Sequence, residues 1–253
     1  MQILTRNEAK HRAAHLHVSA IDVVVDIRDA QDTANPTYPV ASTLTMSSDE
    51  ERTFIDIAGE VTGVLLNGQA HPFDDDNDRV WVGGLPVGQT FTLEIRALAR
   101  YSRSGEGLHR YTDPEDGEVY LYTQFEPNDA HRAWPCIDQP DVKPEWTFHV
   151  IAPAGWVVSS NGVETDVEAV EGSGALRHDF TATRPLSSYI TAIVAGPWAV
   201  IDGGTWRGGA SDGGHAELSL RLLCRRTLER YLDSDDVFEV TRAGLDFFHE
   251  RYG

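Results

Sequence analysis

Gln124 and Glu126 are the residues in this 253-residue sequence whose types and spacing best suit chemistry. They close the run Tyr120-Leu-Tyr-Thr-Gln-Phe-Glu126, which reads as an aromatic strand. Two positions apart in an extended chain, their side chains share one face. Pro127, Pro135 and Pro140 follow, each fixing φ and removing a backbone donor. A carboxylate beside an amide, on a strand end held by so constrained a segment, suits the grip of a small cationic group. Gln and Glu are more often ordinary solvent-facing residues, so the surrounding residues must carry the case.

Other groups of reactive residue types are poorer candidates. Asp74-Asp-Asp-Asn-Asp78 invites a calcium reading, but an EF-hand loop needs Gly at position six and Glu at position twelve. Arg79 and Leu85 stand there, so a solvated acidic turn is expected. His15 and His17 share a face if the chain is extended, yet no third ligand follows at metal spacing, and both read as structural or surface histidines. His109 and His131 flank the proline-rich segment and read as satisfied structural groups. Cys136 and Cys224 form neither a disulfide framework nor a zinc knuckle. Cys136, with no basic neighbour to activate it, reads as a small buried hydrophobe.

The elements that must position Gln124 and Glu126 are mostly strands. Thr5 and Glu8 have capping-box spacing, which predicts a short helix over 6–16. Beyond it Val23, Val25 and Ile27 alternate with Val24 and Asp26. Phe91, Leu93, Ile95 and Ala97 alternate with Thr92, Glu94 and Arg96, and Trp146, Phe148 and Val150 repeat the pattern. Asn67-Gly68 and Asn161-Gly162 are type I′ hairpin signals, and Gly83-Gly84 with Pro86 marks another reversal. The expected fold is mainly β, an antiparallel β-sandwich or saddle over 1–200.

The stretch 202–214 is glycine-dense and reads as a hairpin tip or linker. Leu218, Leu220 and Leu222 form one more alternating strand. A helix follows from Ser234, with Asp233, Asp235 and Asp236 at its positive end. Val237, Val240, Gly244, Leu245 and Phe248 share one face, and Gly253 suits the position after the helix. Residues 201–253 thus read as a glycine-rich connection followed by a strand and a helix.

Bulk properties exclude several classes. With 41% hydrophobic residues and six Trp, eight Tyr and nine Phe, the chain can build a large core. A formal charge of −19 argues against nucleic acid and against docking on anionic lipid. No run approaches the ~18 apolar residues of a membrane span, and the amino terminus lacks the pattern of a signal peptide. A cytoplasmic protein with reduced thiols is expected.

The run Thr123-Gln-Phe-Glu-Pro127, with Asp129-Ala-His-Arg132 and Pro135-Cys-Ile-Asp-Gln-Pro140 after it, resembles the substrate-anchoring segment of the aminopeptidase N family, zinc metallo-aminopeptidases of the gluzincin type. Gly105-Glu-Gly-Leu-His-Arg-Tyr111 and Ser188-Tyr-Ile-Thr-Ala-Ile-Val-Ala-Gly196 resemble it too. The likeness runs from about Thr5 to the last residue, which implies that 201–253 hold the first strand and helix of a truncated α/β metallopeptidase domain. The resemblance implies that Glu126 accepts the free α-ammonium of a peptide substrate and that Gln124 lines the pocket for the first side chain. Relatives with epoxide hydrolase activity resemble this region but carry glutamine where Glu126 stands, which favours the plain aminopeptidase.

The family binds zinc through His-Glu-x-x-His on a helix. Here His249-Glu250-Arg251-Tyr252 meets Gly253, and Gly-x-Met-Glu-Asn is excluded because Met1 and Met46 are the only methionines. The expectation is therefore the amino-terminal domain of a zinc-dependent aminopeptidase, with no zinc site of its own and no activity alone. Zinc is the cofactor of the full-length parent, and none is expected in this chain. Its partners would be the amino terminus of a peptide substrate and its own missing catalytic domain. The alternative is a non-catalytic β-sandwich protein-interaction module. An apolar helix face left half-covered near the end of the sequence speaks against that.

Overall fold

The computed structural model describes residues 4–209 and 215–252. Helix α1 (Arg6–His15) opens the described chain. Its capping box is complete: Glu8 N–H donates to the Thr5 hydroxyl, and the Glu8 carboxylate accepts from Thr5 N–H at 2.8 Å. The Thr5 hydroxyl and Arg79 hold the Glu8 carboxyl down at about 2. The helix runs directly into β1 (Leu16–Asp26). Then come β2 (Thr37–Ser48), β3 (Thr53–Asp56), β4 (Gly59–Leu66), β5 (Gln69–Ala70), β6 (Asp74–Asp76), β7 (Arg79–Val82) and β8 (Thr90–Arg100). After these follow β9 (Gly107–Thr112), β10 (Val119–Gln124), β11 (Glu145–Pro153), β12 (Val157–Ser160), β13 (Glu164–Val170), β14 (Ala175–Phe180) and β15 (Ile193–Gly196).

These strands form three sheets within the unit 1–113 and 117–196. Eight strands run in the order β13-β14-β11-β1-β2-β8-β4-β5, four as β12-β15-β10-β9, and three as β3-β7-β6. The mainly β, antiparallel expectation holds, with one departure: β1 and β11 pair in parallel. The alternating residues behave as their period requires. Val23, Val25, Ile27, Leu93, Ile95, Trp146 and Val150 are fully buried, and Glu94 and Arg96 on the opposite face pair with each other. One core cluster joins residues of all three sheets to Phe125, Trp134, Cys136 and Ile137 of the proline-rich segment.

Asn67 and Gly68 take positive φ (49° and 76°) and turn β4 into β5, as their type requires. Asn161-Gly162 does not make a hairpin. The chain leaves β12 in the four-stranded sheet there and enters β13 in the eight-stranded one. The Asn161 side chain bridges to Ile190 O and Ala192 N. Gly162 is required for closeness rather than for φ, since a Cβ would meet Thr181 O at 2.1 Å.

The second unit comprises 114–116 and 197–253. Here β16 (Ala199–Gly209) and β17 (His215–Cys224) pair antiparallel, a 3₁₀ turn covers Arg226–Tyr231, and α2 spans Ser234–Tyr252. Of the glycine-dense stretch 202–214, expected as a hairpin tip or linker, residues 202–209 belong to strand β16, while 210–214 lie outside the described residues, as does Gly253. Asp233 caps α2 by accepting from Asp236 N–H at 3.3 Å. The covered face of α2 differs from the expected one. Phe238, not Val240 or Phe248, is buried, while those two are 65% and 59% exposed. The cause is in β16, where Gly203 leaves room for the Phe238 ring and Gly208 leaves room for Trp206 and His249. Trp206 Nε1 donates to Asp246 at 2.8 Å, fixing that face.

Candidate functional site

Strand β10 lies between β15 and β9, and its last residue, Gln124, faces Gly107 across the ladder. Gly107 has φ +68°, and a Cβ on it would come within 3.1 Å of the Arg132 side chain, so glycine lets the two segments close up. Past Gln124 the burial alternates: Gln124 exposed, Phe125 buried, Glu126 exposed. Both side chains are thus exposed with Phe125 buried between them; Gln124 ends β10 and Glu126 lies in the turn that follows. Glu126 N–H donates to Gln124 Oε1 at 2.6 Å, so the amide carbonyl braces the turn that presents the carboxylate. The Glu126–Pro127 peptide is cis. Asp129 N–H then closes the turn onto Phe125 O at 2.8 Å.

The segment behind these side chains is unusually well tied. Phe125 packs edge-on against Trp134, and Trp134 edge-on against Phe148, with centroids 4.9 and 5.1 Å apart. The Tyr38 hydroxyl donates to Ala133 O at 3.0 Å. Cys136 and Asp56 exchange both backbone hydrogen bonds. Burial pushes the Cys136 thiol well up, which suits the inert role expected of it.

Buried polar groups complete the tie. Asp138 accepts from the Ser188 hydroxyl at 2.7 Å and from His131 at both its backbone N–H and its Nδ1. Asp138 N–H donates to Asp56, which also accepts from Arg12 Nη1 at 2.8 Å. Arg12 Nε in turn donates to Gln139 Oε1, and Gln139 Nε2 to Ala9 O. Burial pulls the His131 imidazole down, but Asp138, with the charges of Asp56 and Asp78, outweighs it, and His131 titrates above the ordinary value. His131 is therefore the satisfied structural histidine expected. His109 accepts from Gly105 N–H and rests against Tyr122, and burial lowers its pKa. Sequence reasoning found the two exposed side chains and missed the role of Asp56, Arg12 and Ser188. Those lie 44 to 127 residues from their partners, beyond the reach of local spacing.

The remaining candidates fall as follows. Asp74, Asp75 and Asp76 form an exposed edge strand that turns at Asn77 and Asp78, both with positive φ. His15 ends α1, while Leu16 begins β1, so His15 and His17 do not share one extended face. The neighbour of His15 is instead His11, one helical turn back, with ring centroids 4.6 Å apart. The motif-like His249 rests edge-on against Trp206. Glycine at 253 stands where a second histidine would complete the zinc motif from His249.

A profile of the Peptidase M1 N-terminal domain matches residues 72–190, which include the whole Gln124–Gln139 platform. Aminopeptidase N of Streptomyces lividans is 37% identical over 98% of this chain. This chain belongs to the M1 aminopeptidase family. Aminopeptidase N of Haemonchus contortus is 32% identical over 47% of the chain, and aminopeptidase 2 of Candida albicans 30% over 53%. The chain spans 28% of the Streptomyces relative and 13–14% of the other two. M1 aminopeptidases are zinc-dependent in general, and what this M1 chain displays is the family's amino-terminal domain. Among the described residues no helix is long and apolar enough to cross a membrane.

Proposed function

We propose that this domain anchors the amino terminus of a peptide substrate for a zinc-dependent aminopeptidase. The observation that carries the reading is the exposed Glu126 carboxylate, aligned with Gln124 at the end of β10 on a turn that buried contacts hold still. A carboxylate so placed accepts hydrogen bonds from an α-ammonium group and selects a substrate end that carries positive charge. Gln124, its carbonyl turned to Glu126 N–H, offers its NH₂ group towards the first residue of the substrate. Prior order in the platform matters, because a group already held in place loses little freedom on binding.

The catalytic domain is the second partner in this reading, and zinc belongs to that domain. The exposed Val240, Phe247 and Phe248 of α2 support a chain that continues its packing against further protein. Both cysteines are free, in keeping with a cytoplasmic setting. In water an exposed ammonium–carboxylate pair contributes only about 0–1 kcal/mol, whereas a charged hydrogen bond enclosed from water contributes about 1.5–3 kcal/mol. The domain alone should therefore bind peptides weakly. In the protein that carries the catalytic domain, Glu126→Ala should lower kcat/KM on aminoacyl substrates by roughly ten- to a few hundred-fold. Unchanged kcat/KM would return Glu126 to the status of a surface carboxylate.

A further inference from the structure

His11 and His15 stand four residues apart on α1, so both imidazoles project from one face of the helix. Glu50, in the turn between β2 and β3, reaches the same place: His11 Nε2 lies 3.0 Å from its carboxylate. One ligand atom from each of the three residues lies within 4.8 Å of the other two.

The backbones that carry them are already locked. Asp49 N–H donates to His15 O at 2.9 Å, which ties the turn to the end of the helix. Glu50 N–H donates to the Ser48 hydroxyl, and that hydroxyl donates to Glu50 O. Arg12, between the two histidines, is anchored to Asp56 and Gln139 and sets the rotation of α1. All three side chains line one cavity of about 180 Å³, whose wall includes Leu16, Phe54 and Trp81. The two cations on that wall, Arg12 and Arg52, are matched by Asp56 and Asp74.

We propose that His11, His15 and Glu50 bind one divalent transition-metal ion, Zn²⁺ foremost, which clips α1 to the turn between β2 and β3. Two imidazoles and a carboxylate are a borderline donor set suited to zinc, and a three-residue set leaves a coordination position open. The cavity that the three residues line has room for water or a small anion at that position. Zinc bonds of about 2.0–2.2 Å require ligand atoms roughly 3.3 Å apart. His11 and Glu50 are already at 3.0 Å, so only the wider separations, at most 4.8 Å, must close, by up to about 1.5 Å. His11 and Glu50 are half-exposed, which leaves them free to turn. The site uses neither Gln124 nor Glu126 and does not depend on their role.

The test is titration of the metal-stripped 253-residue chain with Zn²⁺ by calorimetry, and with Co²⁺ by absorption. The expected result is one saturable site, a cobalt spectrum with ligand-field bands and no thiolate charge transfer, and a Tm raised by roughly 5–10 °C at a hundredfold excess over Kd. His11→Gln and Glu50→Gln should each weaken binding at least about tenfold, while His17→Gln leaves it intact. His11 is exposed, so His11→Gln should keep its Tm in EDTA within about 2 °C of the unsubstituted chain. Absence of saturable binding, binding that survives His11→Gln and Glu50→Gln, or a thiolate band implicating Cys224 would each overturn the proposal.

Discussion

The proline-rich segment and helix α2 are both rich in aromatic and aliphatic residues, and they treat them in opposite ways. In the segment Phe125, Trp134, Cys136 and Ile137 are at most 1% exposed. Asp138, His131 and Gln139 are buried with them, each with hydrogen-bond partners. In α2 Phe238 alone among the hydrophobic residues is buried, while Val240, Phe247, Phe248 and Tyr252 are 50–80% exposed. The segment owes its order to contacts inside its own unit. Helix α2 relies on Phe238, Trp206 and Arg242.

The largest effect should come from emptying the segment. Trp134→Ala removes a fully buried ring that touches Phe125 and Phe148, and should cost about 3–5 kcal/mol in urea unfolding. Its Nε1 has no hydrogen-bond partner, so the loss is one of packing. A cost below about 1 kcal/mol would show the segment to be loose.

Asp138→Asn comes next. It keeps the shape but removes the charge that His131 and Ser188 meet, and should cost about 1–3 kcal/mol. The sign of its pH dependence follows from His131, whose folded pKa lies above its unfolded value. That contribution is fully present below the unfolded value of about 6.5 and is lost as pH rises through the folded pKa. The difference between Asp138→Asn and the unsubstituted chain should therefore be widest in mild acid and narrow as pH rises. A difference independent of pH would mean that His131 stays neutral.

A smaller effect of the same sign is expected on the eight-stranded sheet. His149 on β11 bonds Asp22 on β1 at 3.1 Å and also Asp179 on β14. The hydrogen bond to Asp22 raises its pKa against the pull of burial, and Asp179 adds to the rise. His149→Gln should cost about 1 kcal/mol in mild acid, measured by urea unfolding, and less as pH rises through the folded pKa. At the acidic end the Asp179 side of the cluster acts in the other direction. Burial raises that carboxyl, but His149 and Arg177 bring it below the usual range, so its contribution is present above the unfolded value and lost as pH falls through the folded one. Equal losses at pH 5.5 and 8.5, values about a unit or two either side of a histidine's 6.5, would contradict the His149 assignment.

What the sequence showed and what it hid separate by range. Phe91 to Ala97 could be placed in a strand because alternation is a local signal, and Thr5 with Glu8 announced α1 for the same reason. Gln124 and Glu126 could be placed together by spacing, but their proposed role came from the resemblance. The parallel pairing of β1 with β11 joins residues some 125 positions apart and leaves no local trace. On α2, helical period marked Val240 and Phe248 as one apolar face, but the glycines of β16 decided which face is covered. His11 and His15 had the right spacing within a predicted helix. Glu50, 39 residues from His11, did not declare itself.

The smallest effect is the sharpest test of the contrast between segment and helix. Phe248 is 59% exposed, and its ring neighbours on α2, Phe247 and Tyr252, are at least half-exposed themselves. Phe248→Ser therefore removes little that this chain buries, and its unfolding free energy should stay within about 0.5 kcal/mol of the unsubstituted value. That is several-fold less than for Trp134→Ala, although both remove an aromatic ring. Surface chemistry should respond where stability does not, because a smaller apolar patch self-associates less at high concentration. Light scattering should thus fall while the urea midpoint holds. A loss above about 1 kcal/mol would mean that the outer face of α2 is covered by this chain in solution, and the contrast with the proline-rich segment would collapse.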